Sequence, residues 1–177
     1  MISRNEEHDI LFEDVIWGLK NAYQTSALVI HKKYLYNMPD FYYTASKYGF
    51  GDFPRAIWYT LIGKVRFFPY VMSTYRFMSA PTSWSASNKN AEKMCKHRQG
   101  VIEMLEDVRK HVSEERNAIV DKAILEQRFF MLDIQGKYRE MRSPEFKEIW
   151  ESRSVVYRLK TAFKKYFPFI YKMLRKI

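Results

Sequence analysis

The chain has 177 residues, 47% of them apolar and 17% aromatic, with only six Gly and six Pro, which excludes a disordered or collagen-like polymer and fits one packed domain or part of a larger protein. Thirty Lys and Arg against twenty Asp and Glu leave a formal charge of +10, and the single Cys95 excludes an intramolecular disulfide framework and fits a reducing compartment.

The N-terminal stretch carries Glu6, Glu7, Asp9, Glu13 and Asp14 against Arg4. A signal peptide needs a positive start and then an apolar run, so none is expected. No stretch reaches the ~18 apolar residues of a spanning helix. The expected location is cytoplasmic, with any membrane contact peripheral and on the inner face. Tyr23 to His31 reads as a short buried strand around Ala27-Leu28-Val29-Ile30. Asn37 to Asp40 is turn material, and Gly49 and Gly51 flank Phe50 in a flexible loop. Asp52 suits a helix cap and Pro54 a first turn, which predicts a helix from about Phe53 to Ile62, with Ile57 and Leu61 inward and Gly63 ending it. Val65 to Phe77 is rich in aromatic and β-branched residues and predicts one or two strands around Pro69. Ser79 to Ser87 reads as a polar loop. Aromatic residues crowd the span from Tyr34 to Phe77; most are assigned to the core, and a few could line a sugar or lipid groove.

Beyond this point the pattern turns helical. Ala91, Met94, Cys95, Val101, Ile102, Leu105, Val108 and Val112 keep a period near 3.6 and predict one long helix. A second is expected from about Glu114 to Tyr138, with Ile119, Ala123, Ile124, Phe130, Leu132 and Ile134 spread around its circumference. Ser143-Pro144-Glu145 reads as a third helix start. From Ser154 to Ile177 the chain holds Arg158, Lys160, Lys164, Lys165, Lys172, Arg175 and Lys176 and no acidic residue. Val155, Leu159, Ala162, Phe163, Tyr166 and Ile170 recur at helical spacing there, and Pro168 should kink or split the helix. A basic amphipathic helix can lie on an anionic bilayer. It can equally dock on its own domain with a solvated basic face. Nucleic acid is disfavoured as a partner, because no helix-turn-helix, zinc knuckle or RNP-like motif accompanies the charge.

The chemistry-bearing motifs are few. There is no Gly-rich phosphate loop, no His-Glu-x-x-His, no Gly-x-Ser-x-Gly elbow and no Asp-x-Asp. Cys95 and His97 form a lone pair that reads as structural. One tetrapeptide stands out, Gly51-Asp52-Phe53-Pro54. A carboxylate at a helix N-terminus on a Gly-flexed loop is exposed and oriented by backbone N–H groups, which suits a general base. The same residue could be a helix cap and nothing more.

The run Gln24-Thr25-Ser26-Ala27-Leu28-Val29-Ile30-His31-Lys32-Lys33, then Gly51-Asp52-Phe53-Pro54, Gly63-Lys64-Val65-Arg66-Phe67-Phe68, Val71-Met72-Ser73-Thr74-Tyr75-Arg76 and Ser83-Trp84-Ser85, resembles the second half of family 2 glycosyltransferases. These are inverting enzymes of the GT-A fold. The resemblance covers about Gln24 to Ser87. It implies that an acceptor hydroxyl attacks the anomeric carbon of a nucleotide-activated sugar and that Asp52 is the general base. Thr25, Ser26, Gly51, Phe53, Tyr75, Arg76 and Trp84 would line the substrate cleft. The family's N-terminal nucleotide-binding unit and its Asp-x-Asp have no counterpart here, and Met78 stands where many relatives place a metal-binding His. A thioether is a poor ligand for Mg²⁺ or Mn²⁺. No cofactor is therefore expected on this chain alone, and a divalent metal only where another half completes the site.

The resulting expectation is a fold between α/β and mostly α. Residues 1–87 would form a partial GT-A acceptor half with few strands and short helices. Residues 88–177 would form a helical extension ending in a basic amphipathic helix, the two packed as one unit. The expected function is sugar transfer from a nucleotide sugar to a hydroxyl acceptor in surface polysaccharide or glycolipid synthesis, truncated and weak or inactive alone. The alternative is a non-catalytic membrane-surface or protein-binding helical module. Expected partners are a sugar or glycolipid acceptor, a nucleotide-sugar donor held with a partner half, an anionic membrane surface and a second copy of the chain. The seven tail cations would make the membrane contact.

Overall fold

The structure, a computed structural model, describes residues 6–17, 27–71, 90–167 and 169–170. Strand β1 (His8–Ile10) leads into the short helix α1 (Phe12–Val15). A 3-10 turn at Lys32–Tyr34 precedes α2 (Asp40–Ser46), α3 (Asp52–Ile62) and strand β2 (Val65–Phe67). The long helices α4 (Ala91–Val108) and α5 (Glu114–Gln135) follow, joined through a 3-10 turn at Arg109–His111. Two further 3-10 turns, Glu140–Arg142 and Pro144–Phe146, lead to α6 (Lys147–Ser152) and α7 (Val155–Tyr166). The protein is thus mostly helical, and the described residues form one small antiparallel sheet.

Local sequence explains most of these boundaries. The Asn90 side chain accepts from the amides of Glu92 and Lys93 at 2.8 and 3.3 Å and starts α4. Gly136, at φ 73°, takes the left-handed conformation that ends α5 three residues before the expected limit at Tyr138 is passed. Ser143 and Pro144 open a 3-10 turn that passes directly into α6. The Ser154 hydroxyl accepts from the Tyr157 amide at 3.2 Å and starts α7. That helix ends at Tyr166, ahead of Pro168.

The main core draws on both ends of the chain. Ile10, Phe12, Val15 and Ile16, with Phe41, Ala45, Ala56 and Ile57, pack against Val101, Met104, Leu105 and Val108 of α4 and Val120, Ala123 and Ile124 of α5. A second cluster joins Phe129 to Met141 and Phe146, with Trp150 and Tyr157 against it. Gly100 lets α4 approach α2's end closely, because a Cβ there would collide with the Tyr48 ring.

Four expectations are corrected. Among the described residues, Ala27 to His31 forms no strand and Val29 is 84% exposed. His31 instead caps the 3-10 turn, its Nδ1 accepting from the Lys33 amide at 3.3 Å. Phe41 and Ala45, four apart, bury one face of α2, a helix absent from the sequence reading. The sheet forms with the acidic N-terminal stretch, His8, Asp9 and Ile10 pairing with Phe67, Arg66 and Val65. Opposite charges flank it: Arg66 reaches Asp9 at 3.2 Å and Glu7 at 3.3 Å, and Lys64 reaches Asp9 at 3.0 Å. The hydrogen bond from Lys64 lowers the Asp9 carboxyl pKa. Finally, Asp52 is the first residue of α3 and makes no cap bond; Gly51 occupies the cap. The expected strand beyond Val71 and the loop at Ser79 to Ser87 lie outside the described residues.

Candidate functional site

The N-terminal end of α3 gathers the strongest candidate. Asp52 is exposed, and its neighbour Gly51 lies against the side of Tyr42, where an added Cβ would sit 3.5 Å from the ring. One turn into α3, Arg55 points back. Its Nη2 donates to the Tyr42 hydroxyl at 2.8 Å, and its guanidinium lies 5.3 Å from the Tyr42 ring centroid. That hydrogen bond raises the Arg55 pKa against the opposing effect of burial, and the Asp52 carboxylate adds to the rise. Tyr43 meets Tyr42 edge to face at 5.5 Å and is exposed. Buried Tyr59 backs the cluster, its phenol pKa pushed up by burial.

The arrangement offers an exposed carboxylate, a fixed cation and two aromatic faces on one rim. A carboxylate there can accept a proton from a bound hydroxyl. A guanidinium can donate to sugar oxygens, and the rings can pack against the apolar C–H face of a sugar. The sequence reading named Asp52, Gly51 and half-buried Phe53 for this place, counted Tyr42 and Tyr43 only among aromatics of which a few could line a groove, and did not single out Arg55. The available signal was the three-residue spacing from Asp52 to Arg55, which places both on the first turn of one helix.

The remaining expected substrate residues, Thr25, Ser26, Tyr75, Arg76 and Trp84, lie outside the described residues, as does Met78. Among the described residues no group of three His, Cys, Asp or Glu is placed to hold a metal ion. At this end of α3 the Asp52 carboxylate and the Arg55 guanidinium attract each other.

Two other polar places lie among the described residues. A shallow depression of about 510 Å³ lies between α4, α5 and the 3-10 turns before α6, lined by Gln99, Ile102, Glu106, Arg128, Met131 and Glu145 among others. Arg128 sits 3.9 Å from both Glu106 and Glu145, so its charges pair across the floor. Asp52 is not part of its lining. At the end of α4, His111 Nε2 lies 2.6 Å from Asp40, Lys110 reaches Asp107 at 2.6 Å, and the Thr44 hydroxyl donates to Asp107 at 2.7 Å. Burial works to raise the Asp107 pKa, but the bonds from Lys110 and Thr44 outweigh it and hold the carboxyl low. These contacts fasten α2 to α4, and His111 sits edge-on to Phe41 at 5.3 Å.

The basic tail divides. Lys160 and Lys165 are exposed and Arg158 is half-buried. The Lys164 Nζ turns to Asp133 Oδ1 at 2.9 Å, and its side chain is 19% exposed. The Tyr157 hydroxyl donates to the same carboxylate at 3.0 Å, and burial followed by the Asp133 charge pushes its pKa up. Lys172, Arg175 and Lys176 lie outside the described residues. Among the described residues no helix is long and apolar enough to cross a membrane.

Comparisons of the chain with models of protein families, with curated proteins and with solved structures find no match.

Proposed function

We propose that this chain supplies the acceptor side of an inverting sugar transferase of the family 2 kind. Asp52 takes the proton from an acceptor hydroxyl as its oxygen attacks the anomeric carbon of a nucleotide sugar. The bond from that carbon to the diphosphate breaks, and the diphosphate leaves with the electron pair. Arg55 and the Tyr42–Tyr43 edge hold the acceptor in line. The observation that carries the reading is an exposed carboxylate on the first turn of α3, backed by a fixed guanidinium, at the place in the motif order where the acceptor base is expected. The 177 residues contain no Asp-x-Asp. Donor binding is therefore assigned to residues outside them, with the acceptor a polysaccharide or glycolipid at the cytoplasmic face of a membrane.

Saturation-transfer NMR on the purified chain separates the two sides of the reaction. A panel of methyl glycosides should receive saturation, whereas UDP with Mn²⁺ should not. Binding of UDP without binding of any glycoside would overturn the assignment.

A further inference from the structure

Helix α7 is amphipathic in an unusual sense: its polar face is the one that docks. Tyr157, Thr161 and Lys164 face inward, with Thr161 buried and both Tyr157 and Lys164 bonded to Asp133 of α5. Most of the apolar side chains point out, Ala162 and Phe163 being half-buried. Val155, Val156 and Leu159 are 61%, 75% and 64% exposed, Phe163 on the same face is half-buried, and exposed Tyr166 lies on that face about two turns beyond Leu159. Phe167, Phe169 and Ile170 are also exposed, extending the apolar surface past the helix end. Isolated exposed apolar residues need no explanation, but a contiguous stripe of this kind marks an interaction surface.

The charge beside the stripe selects the occupant. Lys160 follows Leu159 on one border, and Arg158 and Lys165 lie along the other. The segment from Ser154 onward carries seven cations and no acidic residue. Its most inward cation, Lys164, pairs with Asp133, whereas Lys160 and Lys165 are exposed and Arg158 is half-buried. An apolar stripe bordered by cations matches the boundary of an anionic bilayer, where acyl chains take the apolar side chains and phosphates take the cations. Long Lys and Arg stems can bury their methylenes while their charges stay at headgroup level.

We propose that α7 is an interfacial helix that seats this protein on an anionic lipid surface through Val155, Val156, Leu159 and Tyr166, with Lys160, Arg158 and Lys165 at the headgroups. The inward tie of Tyr157 and Lys164 to Asp133 holds the stripe outward before any membrane is met. The proposal uses no residue of α3 and stands apart from the sugar-transfer reading.

Vesicle co-sedimentation of the full chain tests it, using phosphatidylcholine vesicles and vesicles containing phosphatidylglycerol. The full chain should bind the anionic vesicles at least tenfold more tightly than the neutral ones and release as salt is raised. Val156→Gln with Leu159→Gln should weaken binding at least tenfold. Lys160→Ala with Lys165→Ala should weaken it by about fivefold per cation at low salt. All four positions are exposed, so circular dichroism and thermal unfolding should match the parent, and a variant that does not match is replaced by Val155→Gln. Equal binding to both vesicle types, no binding, or variants that bind like the parent would overturn the proposal. So would a dimer in sedimentation equilibrium that the glutamine variants dissociate while vesicles bind nothing, because the stripe would then belong to a second copy.

Discussion

Asp52, Arg55 and Tyr42 form a cluster in which each side chain has a separable task, so single substitutions can be told apart. Asp52 is exposed, and Asp52→Asn should leave unfolding stability within about 0.5 kcal/mol of the parent, as for surface changes generally. It should also leave methyl glycoside binding intact, because a general base is needed for proton transfer rather than for holding the acceptor. Arg55→Ala removes the donor to Tyr42 and the fixed cation, and should weaken glycoside binding in saturation-transfer NMR. His97 supplies a pH-dependent test elsewhere. It packs edge-on to Phe50 at 4.8 Å, and burial, helped by neighbouring Arg98, pushes its pKa down. Protonation therefore favours the unfolded chain, where His titrates near 6.5. The stability of the neutral form is whole above about pH 6.5 and is lost as pH falls from there through the folded value. Thermal unfolding between about pH 7 and about pH 5 should show a falling midpoint, and His97→Gln should flatten that fall. The sequence exposed Asp52 because a Gly-Asp-x-Pro step is a local signal. Arg55 and Tyr42 stayed hidden because their meeting depends on how α2 and α3 pack.

The long helices were the legible elements. α4 repeats apolar residues near every 3.6 positions and α5 carries them all round over a long span, and Asn90 at the start of α4, Gly136 at the end of α5 and Ser154 at the start of α7 supply local cap chemistry. The short elements were not legible. Ala27 to Ile30 is a four-residue apolar run, and periodicity cannot assign so short a run, which here forms no strand and leaves Val29 exposed. β1 depends on a partner almost sixty residues away in sequence, a pairing that no local pattern announces. The facing direction of α7 was likewise invisible, since periodicity shows that a stripe exists but not which side meets the protein. Two substitutions test the packing of these elements. Gly100→Ala should gain about 1 kcal/mol in helix propensity, yet the collision with Tyr48 should leave the protein about 1–3 kcal/mol less stable in urea unfolding. Asp133→Ala removes the acceptor shared by Tyr157 and Lys164, and should cost about 1–3 kcal/mol with the loss centred on α7.

At the scale of the molecule, one core joins residues from Ile10 to Ile124, so the mixed and helical halves of the sequence share their apolar interior. Residues 88–177 expressed alone would leave Val101, Met104, Leu105 and Val108 without Phe12, Phe41 and Ile57. That fragment should lose the cooperative thermal transition of the full chain, as read by circular dichroism. The shared core holds α2 and α3 against α4, and this packing brings Tyr42 to Arg55 and presents Asp52 at the rim. The account therefore predicts one place for an acceptor sugar. Amide chemical-shift mapping of the labelled chain with methyl glycosides tests this most directly. Shifts confined to Tyr42, Tyr43 and the span from Gly51 to Arg55 are the expected result. Shifts confined to the depression around Arg128 and Met131, or none with any glycoside, would contradict it.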